Sequence, residues 1–332
     1  MIAKDEESTV GRTLRSLAHQ SIFDEFLVHI LVYANGCSDR TAECASKAIS
    51  KYLVDKITDF NVVDSLESGK SRSWNKAVHE LTPLGTSIIL FLDADIVIAD
   101  PRVCEDMINL LCADKQAEAC SGRPTKSFAI KKRPNWGERL SLWVSEAGRA
   151  DRSINGSLYC LKAQAALTIW LPDETPVEDG FLNAMVRTRG FSRPDDASLV
   201  TQVDRTTHYY DPPNFLGVLS HERRVIVGTM INRWLFEHLW ALKVTSTVGP
   251  MIRDLNRDNP PWVNRIVETR TRRKIWVIPK SVMLGRFPSL ANSSLAKLAL
   301  KIPFGVCVTV LNLIVCFLAN RVLHRSGAAK SW

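Results

Sequence analysis

The tripeptide Asp93-Ala94-Asp95 closes the apolar run Ile88-Ile89-Leu90-Phe91-Leu92. In a strand, residues i and i+2 project to one face, so the two carboxylates are expected to converge on a hard cation, Mg2+ or Mn2+, where the strand leaves the sheet. Such a cation would hold a diphosphate and neutralise the charge building on it as it departs. The alternative is a pair of acids capping a turn. Gly69-Lys70-Ser71-Arg72-Ser73-Trp74-Asn75 supplies a turn, two cations and an amide at a helix start, which suits a phosphate and equally suits ordinary helix entry. In Asn35-Gly36-Cys37-Ser38-Asp39-Arg40-Thr41, Asn35 and Asp39 either hydrogen-bond a ribose or base or cap the next helix. The adjacent acids Glu178-Asp179 follow a turn-rich stretch with two prolines. A carboxylate set against an acceptor hydroxyl serves as general base, although exposed loop acids are common.

These segments need elements to hold them. Apolar, β-branched runs over 26–34, 60–63 and 87–92 read as buried strands, and helical spacing over 8–20, 39–52 and 71–81 separates them. The alternation predicts an α/β fold with a mainly parallel sheet and helices on both faces. Ligands in such folds bind at the carboxyl ends of the strands, where the polar segments fall. Past about residue 215 the pattern turns to long apolar and aromatic helices, among them 225–242. The stretch 302–319 holds 18 residues without a charge, with Lys297 and Lys301 before it and Arg321 and Arg325 after. Its length is at the lower limit for crossing a bilayer, so a spanning helix, a helix lying in the interface and a buried helix of an oligomer are all compatible with it.

Composition excludes a disordered or collagen-like chain: 45% of the 332 residues are hydrophobic and 23% charged. The net charge of +8 is unevenly divided, with 22 Lys+Arg against 9 Asp+Glu from residue 181 onward and an acidic balance before it. A basic second half fits an anionic partner, with a membrane surface, phosphorylated lipid and nucleic acid all candidates, and a solvated basic face is the alternative. The eight cysteines form no Cys-x-x-Cys pair and read as reduced, mostly buried residues rather than a disulfide framework or zinc site. The charged start, Met1-Ile2-Ala3-Lys4-Asp5-Glu6-Glu7, does not read as a secretory signal.

Taken in order, Lys4-Asp5-Glu6-Glu7, Thr13-Leu14-Arg15-Ser16-Leu17 with Gln20, Asn35 to Thr41, Gly69-Lys70 with Asn75, Asp93-Ala94-Asp95 and Glu178-Asp179 resemble the family 2 glycosyltransferases over about residues 2–224. The resemblance implies a type A glycosyltransferase fold over 1–224, followed by a helical, partly membrane-associated region over 225–332. It implies an inverting enzyme, dependent on a nucleotide-sugar donor and on Mg2+ or Mn2+, that works on a lipid-linked or glycan acceptor in polysaccharide, glycolipid or cell-envelope glycan synthesis. Asp5, Glu6, Asn35, Asp39, Lys70, Asn75 and Asp93 match donor-binding positions. Asp93 and Asp95 match the metal pair, with Asp95 the direct ligand; Asp179 matches the catalytic base and Glu178 its supporting acid. His208 is placed like a histidine that completes metal coordination in related enzymes, with a structural histidine as the alternative.

The first strand is expected to be incomplete, because only Met1-Ile2-Ala3 precede the first loop. Ala34-Asn35 stands where many members carry two acids that read the base, and no complete Gln-x-x-Arg-Trp is present, which favours single transfer over polymerisation. The expected setting is the cytosolic face of a membrane, peripheral or anchored by one C-terminal segment, with no nucleic-acid partner. Two rivals remain at this level: a haloacid-dehalogenase-type phosphatase using Asp93 as nucleophile, and an inactive membrane-associated binding module.

Overall fold

In the computed structural model, which describes residues 1–147, 151–284 and 295–325, ten short strands form three sheets. The stretches 285–294 and 326–332 of the expected C-terminal region lie outside the described residues. The strands are β1 (Ile2–Ala3), β2 (His29–Asn35), β3 (Asp59–Ser65), β4 (Ile88–Leu92), β5 (Ile96–Ile98), β6 (Ala119–Ser121), β7 (Pro124–Lys126), β8 (Leu158–Lys162), β9 (Val200–Gln202) and β10 (His208–Tyr210). The chain separates into two compact units. The first comprises Met1–Asp173, Glu178–Pro212 and Lys243–Asp254; the second comprises Glu174–Val177, Pro213–Leu242 and Leu255–Trp332.

In the first unit β1, β2 and β3 lie side by side in parallel. β1 has two residues, yet Ile2 and Ala3 register with Tyr33 and Ala34, and Ile2 also bridges in parallel to Asp93 just past β4. Short as it is, this strand joins the first sheet to the second, whose order is β4-β8-β6-β9. The expectation of a mainly parallel sheet fails from here on, because β8 runs antiparallel to both β4 and β6. Direction was hidden in the sequence: Leu158 to Leu161 is an apolar run of four, too short to carry it. A third small sheet, β5-β10-β7, is mixed as well.

Helix Val10–Leu17 forms because Val10, Leu14 and Leu17 recur at helical spacing and are buried. They join Val32, Ala45, Ile49, Ile96, Met107, Leu111 and Leu158 in one apolar core. Helices Thr41–Tyr52 and Lys70–His79 start immediately after the polar segments that follow β2 and β3, so those segments are held between a strand end and a helix start.

The second unit is helical: Phe215–Ala241, Trp262–Thr271, Lys280–Leu284 and Leu295–Arg325, with part of Gly249–Asp258. Asn214 starts the first of these by accepting the Gly217 N–H on its Oδ1 at 2.8 Å. That helix packs against Trp262–Thr271 and Leu295–Arg325. Leu295–Arg325 is long and apolar enough to cross a membrane by length and composition; over its window Val308–Arg325, 33% is buried.

Candidate active site

Asp93 sits at the end of β4 with its N–H donated to the Ser157 carbonyl at 2.9 Å. The chain then turns through Ala94 and Asp95 before β5 begins. The strand argument for two carboxylates on one face therefore does not apply; a turn sets them instead. The turn is pinned from beneath by the buried Thr13 hydroxyl, which donates into it 2.8 Å from the Ala94 carbonyl and 2.7 Å from that of Ile96. Ala94 is buried while Asp95 is exposed, and among the described residues no hydrogen bond or ion pair engages the Asp95 carboxylate.

Lys70 is the first residue of its helix, after Gly69 at φ +138°, a value L side chains rarely adopt. Asn35 fixes this entry: its Oδ1 accepts the Gly69 N–H at 2.7 Å and the Ser73 hydroxyl at 3.0 Å. The Lys70 ammonium then reaches Asp93 Oδ1 at 3.0 Å and Glu178 Oε1 at 2.9 Å. Burial pulls the Lys70 pKa down, but the two carboxylates outweigh it and hold the pKa well above the ordinary lysine value. Asp93 is raised, chiefly by burial, with Lys70 opposing. Trp74, one helical turn after Lys70, stacks on Phe91, which stacks on Tyr159, and the Trp74 Nε1–H donates to the Tyr159 hydroxyl at 3.0 Å. Asn75, expected near the donor, is buried and turned to the loop before the acid pair. It donates to the Leu171 carbonyl at 2.8 Å and to Asp173 at 3.1 Å, and accepts from the Leu171 N–H at 2.9 Å.

Glu178 and Asp179 open helix Glu178–Arg187. Burial, reinforced by the neighbouring Glu178 charge, pushes the Asp179 carboxyl up to about 6. Gly156 packs against it: a Cβ there would lie 3.1 Å from Asp179 Cβ and 3.2 Å from Oδ2. The strand end, the lysine and the acid pair are thus brought together.

The first loop is organised differently. Asp5, at φ 53°, accepts the Ser38 N–H on Oδ1 at 2.6 Å, and this bond with that of the Ser38 hydroxyl holds its pKa below the ordinary range. Glu6 is raised, first by burial and further by the charges of Asp95, Asp93 and Asp39. Asp39 accepts the Glu7 N–H at 3.0 Å and the Thr41 N–H at 3.0 Å. Among the described residues, the group of three ligating side chains close enough to share an ion is Asp5, Cys37 and Asp39, not Asp93, Asp95 and His208. His208 is fully buried with both ring nitrogens on hydroxyls, Nε2 2.7 Å from Ser157 and Nδ1 2.8 Å from Thr207. Burial pushes its pKa down to about 3, so the ring is neutral, and its contacts are those of the structural alternative. The described cysteines are all free; Cys112 departs from the expected burial by being exposed.

Thr13 stood in a quoted motif without a role, and Gly156, Ser157 and Asp173 were not singled out from the sequence. Thr13 bonds a turn 81 positions away and Asn75 reaches Asp173 across 98, distances at which spacing carries no signal.

A divalent cation fits the strand end: hard carboxylate oxygens from Asp95 and Asp93 are its preferred donors, and the exposed Asp95 carboxylate is available. No curated protein sequence matches the chain. Among solved structures, the chain is similar to the mannosyltransferase PcManGT from Pyrobaculum calidifontis in complex with GDP-Man and Mn2+, with 15% identity, 97% of this chain and 85% of that one covered, and a TM-score of 0.58. It also matches glucosyl-3-phosphoglycerate synthase from Mycobacterium tuberculosis, with 15% identity, 70% and 78% covered, and a TM-score of 0.47. At these identities the first likeness establishes a shared fold. The family description "Glycosyl transferase family 2" matches residues 1–162, the part that carries the first loop, Lys70 and the Asp93-Ala94-Asp95 turn, and this part of the chain belongs to that family.

Proposed function

We propose that the chain is an inverting glycosyltransferase that moves a sugar from a nucleotide-sugar donor to an acceptor hydroxyl or lipid phosphate. Its setting is the cytosolic face of a membrane, with residues 1–224 as catalytic domain and 225–332 as the membrane-associated region. What supports this is the Lys70 ammonium, 3.0 Å from Asp93 and 2.9 Å from Glu178, which ties the strand end carrying Asp95 to the helix start carrying Asp179. Asp95, with Asp93, would hold Mg2+ or Mn2+, and the bound cation would supply charge neutralisation to the departing diphosphate. Asp179 takes the acceptor proton; a carboxylate raised to about 6 is a better base than an ordinary aspartate and still ionised at neutral pH. Lys70 holds Glu178 in place beside it and keeps Asp93 oriented. Asp5, Glu6 and Asp39 line the loop assigned to the nucleotide, while Asn35 and Asn75 act by fixing the backbone around it. The phosphatase reading falls with the family assignment.

The full chain should release nucleoside diphosphate from a nucleotide sugar in the presence of Mg2+ or Mn2+; GDP-mannose, bound by the Pyrobaculum neighbour, is the first donor to try, followed by UDP-sugars. Calorimetry on Asp95→Asn should find metal-dependent nucleoside diphosphate binding largely gone. Unchanged affinity with metal present would move the cation elsewhere, and wild-type protein that turns over no nucleotide sugar would leave the inactive binding module.

A further inference from the structure

From Val306 onward the outer face of helix Leu295–Arg325 is apolar where an ordinary surface helix is polar. Val306, Val310, Ile314 and Phe317 are each about half exposed, at 51%, 50%, 49% and 53%, and their spacing of four, four and three places them on one face. Arg321 and Arg325 continue that face as exposed cations.

Opposite that face at Asn312, at its flank at Asn320 and past its apolar part at His324, the helix is fastened to a neighbouring stretch of backbone. Asn312 Nδ2 donates to the Val282 and Met283 carbonyls at 2.9 and 2.7 Å. Asn320 accepts the Val277 N–H and donates to the Ile275 carbonyl, both at 3.0 Å, and His324 Nε2 lies 2.7 Å from the Lys274 carbonyl. Residues 274–283 therefore run beside the helix from position 324 back to 312. They are mostly irregular, and Arg272, Arg273, Lys274 and Lys280 in and next to them are exposed. From residue 255 to 332 the sequence carries 13 Lys+Arg against 2 Asp+Glu.

A helix crossing the bilayer would carry this companion segment with it to hydrocarbon depth, where lipid-exposed irregular backbone and lysines are not tolerated. A helix lying flat meets no such conflict. Its apolar face enters the acyl boundary while the lysines and arginines alongside reach anionic headgroups. Ile275, at 96% exposure, and Trp276, at 38%, sit in the same segment and suit the same boundary. We propose that helix Leu295–Arg325 lies in the plane of an anionic lipid surface, its Val306, Val310, Ile314 and Phe317 face embedded, and does not cross the membrane. The proposal rests on the membrane-bound reading above and narrows it.

The test uses the full chain and vesicles of phosphatidylcholine alone or with about 30% phosphatidylglycerol. A fluorescent amino acid replaces Val306, Val310, Ile314 and Phe317 one at a time, and brominated lipids report its depth. An in-plane helix gives four equal, shallow depths. Binding to anionic vesicles should be at least about tenfold tighter than to neutral ones, and Ile314→Glu should weaken it at least about tenfold with helix content unchanged. Depths that change steadily from 306 to 317, by about 15 Å, would mean that the helix spans; that overturns the in-plane arrangement and leaves the membrane reading standing. No binding to either vesicle, with Ile314→Glu converting a dimer to a monomer in sedimentation, would make the face a contact between two copies and overturn both. Release of nucleoside diphosphate is measured separately, so sugar transfer stands or falls independently.

Discussion

Asp179 carries two opposed demands. Its carboxyl is raised to about 6 by burial and by the adjacent Glu178, so the fold favours its protonated form. A raised acid contributes stability that is fully present below its unfolded pKa and is lost as pH rises through the folded value. The proposed role as general base needs the ionised form, which predominates only above that value. Turnover at saturating substrate should accordingly show an acid limb with an apparent pKa near 6, while stability from this group declines over the same interval. Asp179→Asn separates the two: turnover should fall about 10²- to 10⁴-fold with donor binding retained, and the thermal midpoint at pH 7.5 should hold or rise because a buried charge is gone. Wild-type turnover in that variant would move the base, with Glu178 the next place to look. The acid pair was legible in the sequence as an adjacent Glu-Asp after a turn-rich stretch. The residues that tune it were not: Gly156 packs on it from 23 positions away, and Lys70 reaches Glu178 from more than a hundred.

Turns and strand ends do the positioning, and the turn after β4 depends on a helix. Thr13 is one helical turn from Val10 and is buried with it, so its hydroxyl points out of the helix into the Ala94–Ile96 backbone. Thr13→Val keeps the shape and removes the donor. Losing one partner of a buried hydrogen bond costs about 1–3 kcal/mol, which urea titration should resolve, and calorimetry should find metal-dependent diphosphate binding weakened because Asp95 rides on that turn. Full stability loss with undiminished binding would mean that pairing of β5 with β10 holds the turn unaided. Thr13→Ser, which keeps the hydroxyl, should restore most of both. The parallel half of the fold could be read in advance as strands bounded by polar turns and followed by helices, but the expected burial fails at β3, which ends its sheet: none of its residues is buried and Phe60 is exposed. The antiparallel half could not: β6, β9 and β10 are three residues each, and at that length alternation and a loop look alike. Asn75 shows the same limit in a motif. Its position marked it for the donor, whereas its amide holds Leu171 and Asp173, partners no local pattern could name.

Across the whole chain, the two compact units interleave rather than follow one another, and residues 243–254 belong with the first. The reasons lie in close contacts. Gly190, at φ +67°, leaves room for Thr247, whose hydroxyl oxygen would be 2.0 Å from a Cβ there, and the Val248 N–H donates to the Gly190 carbonyl at 3.0 Å. Gly249 passes the Thr168 carbonyl so closely that a Cβ would meet its oxygen at 2.1 Å. Val248 and Ile252 are fully buried. A chain ended after residue 242 and one ended after residue 258 share every other part of the first unit and differ in this segment. Burying a valine or isoleucine side chain contributes about 1.5–3 kcal/mol, so the shorter chain forgoes about 3–6 kcal/mol from these two side chains, against a typical total of about 5–15 kcal/mol for a folded domain. Its urea midpoint should fall well below that of the longer chain, and in the intact protein Ile252→Ala should cost about 2–5 kcal/mol. Equal midpoints for the two chains would make residues 243–254 a passenger on the first unit; a lower one would mean that the first unit, which carries the proposed site, is completed by residues that follow the helix Phe215–Ala241, so that the proposed sugar transfer requires synthesis to continue well past residue 224.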